Sequence, residues 1–149
     1  MRAILPILIM TLSLSQAGLA APASAPRDML IVPGDRAGAV ALGMTPAELT
    51  ASVGTPADVQ HQGPDTIYSW GDVTAEISDK SPNVDLISVN DPRYETADHV
   101  RVGLAVFAVM AVLGDPVKIT NALGIQDLEY DGMTIVVRNN LVAQIRVRK

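Results

Sequence analysis

His61 and His99 carry the only imidazoles in this 149-residue sequence, so general-base or zinc chemistry would have to run through them. His61 sits in "QHQGPD", read as a polar loop between a first helix and a first strand. His99 sits in "TADHVRVG", just before a second helix and in the link between two halves of the chain. Their separation matches no recognisable zinc spacing. There is no cysteine to serve as a nucleophile, and no Gly-x-Ser-x-Gly elbow, Walker loop or paired-glycine dinucleotide loop. A serine triad would have to recruit one of these histidines and a carboxylate. Asp79, Asn83 and Asp85 in "DKSPNVD" are oxygen donors that could attract calcium. The segment lacks the glycine and terminal glutamate of an EF-hand loop and reads as a solvated hairpin connection. The expectation is a non-enzyme with no catalytic residue, metal or cofactor.

Binding chemistry is better represented. The stretch "VGLAVFAVMAVLGDP" (102–116) holds a helix in which Val109 and Leu113 can fill a core face, leaving Val106, Phe107 and Met110 on a second apolar face. Burying each of the larger side chains would stabilise by about 1.5–3 kcal/mol, so they call for a partner surface. Two destinations are open: a place between the two halves of the chain, buried on several sides, or a docking surface for another protein or a second copy in a homodimer. Tyr68, Trp70 and Tyr130 are either core residues or sheet-face anchors. Arg146 and Arg148 alternate with Ile145 and Val147, which puts both arginines on a solvent face. They read as a basic edge that deters strand pairing, or as an electrostatic strip for an acidic partner. A cavity lined by Met44, Phe107 and Met110 would instead mark a small-ligand or lipid site.

The elements that must position these residues occur twice. Val40, Gly43, Ala51, Gly54 and Pro56 are matched in order by Val100, Gly103, Ala111, Gly114 and Pro116, at one constant offset and with no gap. Trp70 matches Tyr130 at the same offset, and "VDLISV" (84–89) aligns with "VAQIRV" (142–147) after a two-residue length difference. In the first copy Thr45, Pro46 and Glu48 form a helix start with a capping box, and Gly54 stops the helix. Strands follow at Ile67–Trp70, Val73–Ile77 and Val84–Val89, with a turn at Gly71-Asp72. The second copy has Ala105 and Ala108 where the first has Thr45 and Glu48, and turns at Asp131-Gly132 and Asn139-Asn140. The fold expected is α+β: tandem α-β-β-β repeats, with helices packed on one face of an antiparallel sheet. Residues 31–92 form repeat 1 and 93–149 repeat 2.

Ahead of the repeats, Arg2 precedes an apolar run from Ile4 to Leu14 and small residues up to Ala20. This reads as a signal peptide over 1–20, too short to span a bilayer, followed by a flexible lead-in over 21–30. The expected address is periplasmic or secreted, with no integral membrane segment after cleavage. Without residues 1–20, ten basic residues face sixteen acidic ones, which opposes attraction to nucleic acid or to an anionic membrane. With no cysteine, stability must come from packing.

The segment "LGMTPAELTASVGTP" (42–56) resembles the small outer-membrane lipoproteins of the SmpA/OmlA type, which include the E component of the outer-membrane barrel assembly machinery. In tandem it is similar to the β-lactamase-inhibitor-protein fold, over roughly residues 38–147. The resemblance implies a protein-binding module in the cell envelope, with inhibition of a secreted or periplasmic enzyme as the alternative. This chain lacks the lipobox cysteine, so lipid anchoring does not carry over. It has only five aromatic residues, few for an inhibitor's binding face.

Overall fold

A computed structural model describes residues 28–149; the expected signal peptide and most of the lead-in lie outside the described residues. The chain is α+β and mostly strand. A small sheet, in the order β3-β2-β1-β8, is built from β1 (Leu30–Val32), β2 (Arg36–Ala37), β3 (Val40–Ala41) and β8 (Glu95–Thr96). β8 runs parallel to β1, so the segment after residue 92 closes a sheet begun at the start of the described chain.

The larger sheet has eight antiparallel strands in the order β4-β5-β6-β7-β12-β11-β10-β9. After α1 (Pro46–Val53) come β4 (Asp58–Gln62), β5 (Asp65–Trp70), β6 (Val73–Ile77) and β7 (Leu86–Val89). After α2 (Val106–Leu113) come β9 (Lys118–Ala122), β10 (Ile125–Tyr130), β11 (Met133–Arg138) and β12 (Leu141–Arg148). β7 and β12 join the two runs, with Val89 opposite Ile145 and Ile87 opposite Val147.

Period-two alternation explains one buried face. Val73, Ala75, Ile87, Val89, Ile145 and Val147 are buried, while Thr74, Glu76, Ser88, Gln144 and Arg146 between them are half-exposed on the other side. Leu49 of α1, Val109 of α2 and Ile31 of β1 belong to the same buried cluster. The helix signals act as expected in α1: Glu48 N–H donates to Thr45 Oγ1 at 3.3 Å, Thr45 N–H donates to Glu48 Oε2 at 2.8 Å, and Pro46 stands in the first turn. The Thr45 backbone N–H, and after it the Thr45 hydroxyl that donates to the same oxygen at 2.9 Å, hold the Glu48 carboxyl below its usual range.

Three expectations need correction. Each half contains a further strand, β4 or β9, that the three-strand pattern omits, and His61 lies in β4 rather than in a loop. All five residues of each are exposed at a sheet edge, so no apolar alternation marks them. Second, Val84 is not in a strand. It is buried and bonds to the chain ahead of α1: Gly43 N–H donates to its carbonyl at 2.7 Å, and its own N–H donates to Met44 O at 2.9 Å. Third, Arg146 and Arg148 form no sheet edge, because β12 is paired on both sides.

Candidate functional site

The second helix begins without the side-chain cap of the first, since Ala105 offers no oxygen. A hairpin instead serves the first donor of the helix, which α1 lacks because Pro46 stands there: Val106 N–H donates to Asn140 O at 2.9 Å, from the turn between β11 and β12 where Asn139 and Asn140 both take positive φ, while Ala108 N–H donates to Ala105 O at 2.9 Å. This seats α2 by backbone contact, leaving its side chains free to be apolar throughout. Of VFAVMAVL, only Val109 is fully buried. Val106 and Met110 are half-buried, and Val106 packs against the core. Phe107 is 76% exposed and Val112 53% exposed. Among the described residues this helix is therefore not buried on several sides, and nothing covers Phe107.

Further apolar side chains stand in water shortly after α2. Val117 is 85% exposed, Ile119 in β9 is half-exposed, and Leu123 is fully exposed in the β9–β10 turn at φ 50°. A leucine there is doubly unfavourable, because the left-handed region disfavours a Cβ and water disfavours the side chain. Sequence reasoning missed these three. The residues at the same constant sequence offset in the first half, Ala57, Val59 and Gly63, were the available signal.

The three other aromatic candidates lie on the sheet face that carries the core. Trp70 opposes Val73 and Tyr68 opposes Ala75 across β5 and β6, and Tyr130 opposes Met133 across β10 and β11. All three are half-buried against the core, and the Tyr68 and Trp70 rings stack with centroids 6.4 Å apart. Trp70 Nε1–H donates to Gly54 O at 3.0 Å and Tyr130 O–H donates to Gly114 O at 3.1 Å. Burial raises the Tyr130 hydroxyl's pKa, with Asp115 adding to it.

The arginines are engaged across strands. Arg146 Nη1 lies 3.5 Å from Asp127 and Arg148 Nη2 lies 3.3 Å from Glu129, both acids coming from β10. These acids are distant in sequence, so the basic run at the end of the chain has no neighbour along the sequence to announce them. His61 Nδ1 lies 3.1 Å from Thr66 Oγ1 on the paired strand, and exposed His99 lies 3.1 Å from Glu95. Asp85 accepts a hydrogen bond from Ser78. Among the described residues, no group of three or more histidine or acidic side chains comes together as a metal site. An apolar crevice of about 300 Å³ exists between β1, the end of α2 and the β10–β11 turn, lined by residues that include Ile31, Pro33, Leu113 and Met133. Met44, Phe107 and Met110, whose lining of a cavity would have marked a small-ligand or lipid site, are not part of it.

No known family model matches the chain, and no curated protein sequence matches it. Two solved structures share its fold. A DUF4309-family protein from Bacillus subtilis superposes with a TM-score of 0.51 at 14% identity, covering 70% of this chain and 77% of that one. An extracellular protein from Bacillus anthracis that contains an SCP domain superposes with a TM-score of 0.50 at 10% identity, covering 72% of this chain and 44% of that one. The chain thus spans less than half of the second neighbour. No helix among the described residues is long and apolar enough to cross a membrane.

Proposed function

We propose that this chain is a non-catalytic, exported interaction module that docks a protein partner through the outer face of α2. The observation that carries the reading is Phe107, three-quarters exposed on a helix with no polar side chain. An exposed apolar surface of this kind is a protein-interaction feature more often than a solvated one. Val106 and Met110 flank it, and a second copy of the chain is one candidate occupant.

The scaffold is a duplicated unit whose two helices cover one face of the sheet. Supporting this, the bounds of α1, β4 and β5 recur at one constant offset in α2, β9 and β10. The bonds that Val84 makes to Gly43 and Met44 are repeated by Val142 with Gly103 and Leu104, at 2.8 Å each. An envelope-assembly accessory role is what the SmpA/OmlA resemblance of residues 42–56 implies, and it is part of this proposal. The signal-peptide pattern, together with a structural neighbour that is extracellular, supports a periplasmic or secreted address. Inhibition of an enzyme through aromatic anchors on the open sheet face is disfavoured, because Tyr68, Trp70 and Tyr130 lie on the other face.

The test is affinity capture from native envelope with the mature chain and with Phe107→Asp, after confirming that the variant is folded. A partner held by the wild type and released by the variant supports the reading. A partner equally retained by the variant refutes it.

A further inference from the structure

We propose that the uncovered face of the eight-stranded sheet is a second binding site, for a neutral polyhydroxylated ligand such as a glycan segment. The face is the one opposite the core, and two hollows run along it. The first, of about 520 Å³, lies between Gln60 and Ser69 at one side and Asn90 and Gln144 at the other. The second, of about 420 Å³, continues over Val136 and Ala143 and shares Asn90, Gln144 and Arg146 with the first.

The side chains decide the ligand class. Strand register sets Thr74 beside Ser88 and Ser88 beside Arg146, and places Gln144 opposite Val136. Hydroxyls and amides both donate and accept, as a sugar hydroxyl also does, so each can bond to a polyol in either sense. The charged groups lining the two hollows are Glu76, Arg138 and Arg146, with Asp127 beside Arg146 at 3.5 Å, so acids and bases are mixed along the face and neither a phosphate, an acidic peptide nor a cation finds a surface of one sign. Ile67 and Leu86 interrupt the polar groups with apolar patches suited to the C–H faces of a sugar ring.

A further observation comes from the adjacent strand. Asp127 Oδ1 is shielded from solvent and accepts no hydrogen bond, while its other oxygen is only loosely held by Arg146 at 3.5 Å. A buried acceptor without a donor is unusual, and this one belongs to the partner of Arg146, which lines both hollows. A protein partner suits this face less well, since Tyr68, Trp70 and Tyr130 project from the opposite side and leave it without aromatic anchors. The exported address proposed above would bring this face to envelope or extracellular polysaccharide, but the site does not depend on partner docking at α2.

The experiment is co-sedimentation of the full mature chain with insoluble chitin and cellulose, alongside amide chemical-shift titrations with cellohexaose and chitohexaose. Binding to at least one polysaccharide is expected. It should persist in ~0.5 M salt, where an ionic contact would be screened. Ser88→Val combined with Gln144→Leu should weaken it at least about ten-fold, while Lys80→Ala, in an exposed loop, leaves it unchanged. Wild-type shifts confined to the residues that line the two hollows would support the site even if the double variant misfolds. No binding by the folded wild type, loss in salt, undiminished binding by a folded double variant, or shifts mapping elsewhere would each overturn it.

Discussion

The indole N–H of Trp70 donates to the carbonyl of Gly54, the residue that ends α1, at 3.0 Å. Tyr130 makes the same contact with Gly114 at the end of α2, at 3.1 Å and across the same sequence separation. A helix end leaves carbonyls without intrahelical partners, and in both halves an aromatic side chain from the sheet supplies a donor. Each aromatic therefore fastens its helix to the strand it comes from. Trp70 and Tyr130 are fixtures of the scaffold, half-buried and pointing away from the open sheet face.

Tyr130→Phe removes the donor while keeping the ring. It should lower stability by about 1 kcal/mol, the usual net worth of one hydrogen bond. Urea denaturation with an unchanged m-value checks this, and a loss under about 0.3 kcal/mol would mean that water replaces the hydroxyl without penalty.

The two helix starts should respond unequally to substitution. Thr45→Ala removes the capping box and should cost about 1 kcal/mol. Ala105→Ser should recover less than about half of that, because Val106 N–H already donates to Asn140 and Ala108 N–H donates to Ala105 O at 2.9 Å. Thermal melts of the two variants measure the difference directly.

Phe107→Asp should be tolerated within about 0.5 kcal/mol, since the side chain is mostly in water and an acid near a helix start suits the helix dipole. Leu49→Ala, at a fully buried position, should cost about 2–5 kcal/mol. If Phe107→Asp unfolded the chain, the exposed placement of α2 would be wrong.

Acid should weaken the fold partly through Asp91. Its carboxyl is buried and accepts from Arg93 Nη2 at 2.6 Å, from Nε at 3.0 Å and from the Arg93 backbone N–H at 2.9 Å. The Arg93 side-chain hydrogen bonds, then its backbone N–H, hold the pKa below the usual aspartate value. Because the folded pKa is the lower one, this stabilisation is complete above the unfolded value of about 3.9 and is lost as pH falls through the folded value. Asp91→Asn should be less stable at neutral pH and show a shallower loss of stability in acid, as read from unfolding midpoints across pH.

Gly71 and Gly132 occupy hairpin turns of the two halves, both at φ 71°. A Cβ on Gly71 meets nothing within 4 Å, whereas one on Gly132 would collide with the Gly34 backbone, where the small sheet's β1–β2 turn rests on the β10–β11 turn. Gly71→Ala should therefore cost about 1–2 kcal/mol from backbone strain alone. Gly132→Ala should cost clearly more, with hydrogen-exchange protection lost first in β1 and β2. Equal effects would show that the contact between the turns is dispensable.

Much of this scaffold is legible in the sequence because its local signals are strong. Thr45, Pro46, Glu48 and Gly54 bracket α1, and Asn139-Asn140 marks a tight turn. Edge strands β4 and β9 escape because exposure on every side erases the alternation that reveals a half-buried strand. The small sheet escapes because strands of two or three residues carry no periodicity. Arg146 and Arg148 mislead for a different reason: their acidic partners sit across the sheet, where linear distance says nothing. Pattern alone also leaves open whether Phe107 faces core or solvent, since an apolar helix reads the same in either place. The aromatic-to-glycine contacts do leave a trace, an equal spacing from Gly54 to Trp70 and from Gly114 to Tyr130.

The pairing of β7 with β12 brings residues 86–89 against 145–148, making it among the most non-local contacts in the molecule. Everything else in the large sheet is built from neighbouring hairpins that can form quickly, so this joint should close last and set the folding rate. Until it does, each half presents the bare edge of what becomes a central strand. At high concentration the β7 edge of one molecule can accept β12 of another, yielding an exchanged dimer with every native strand pair intact.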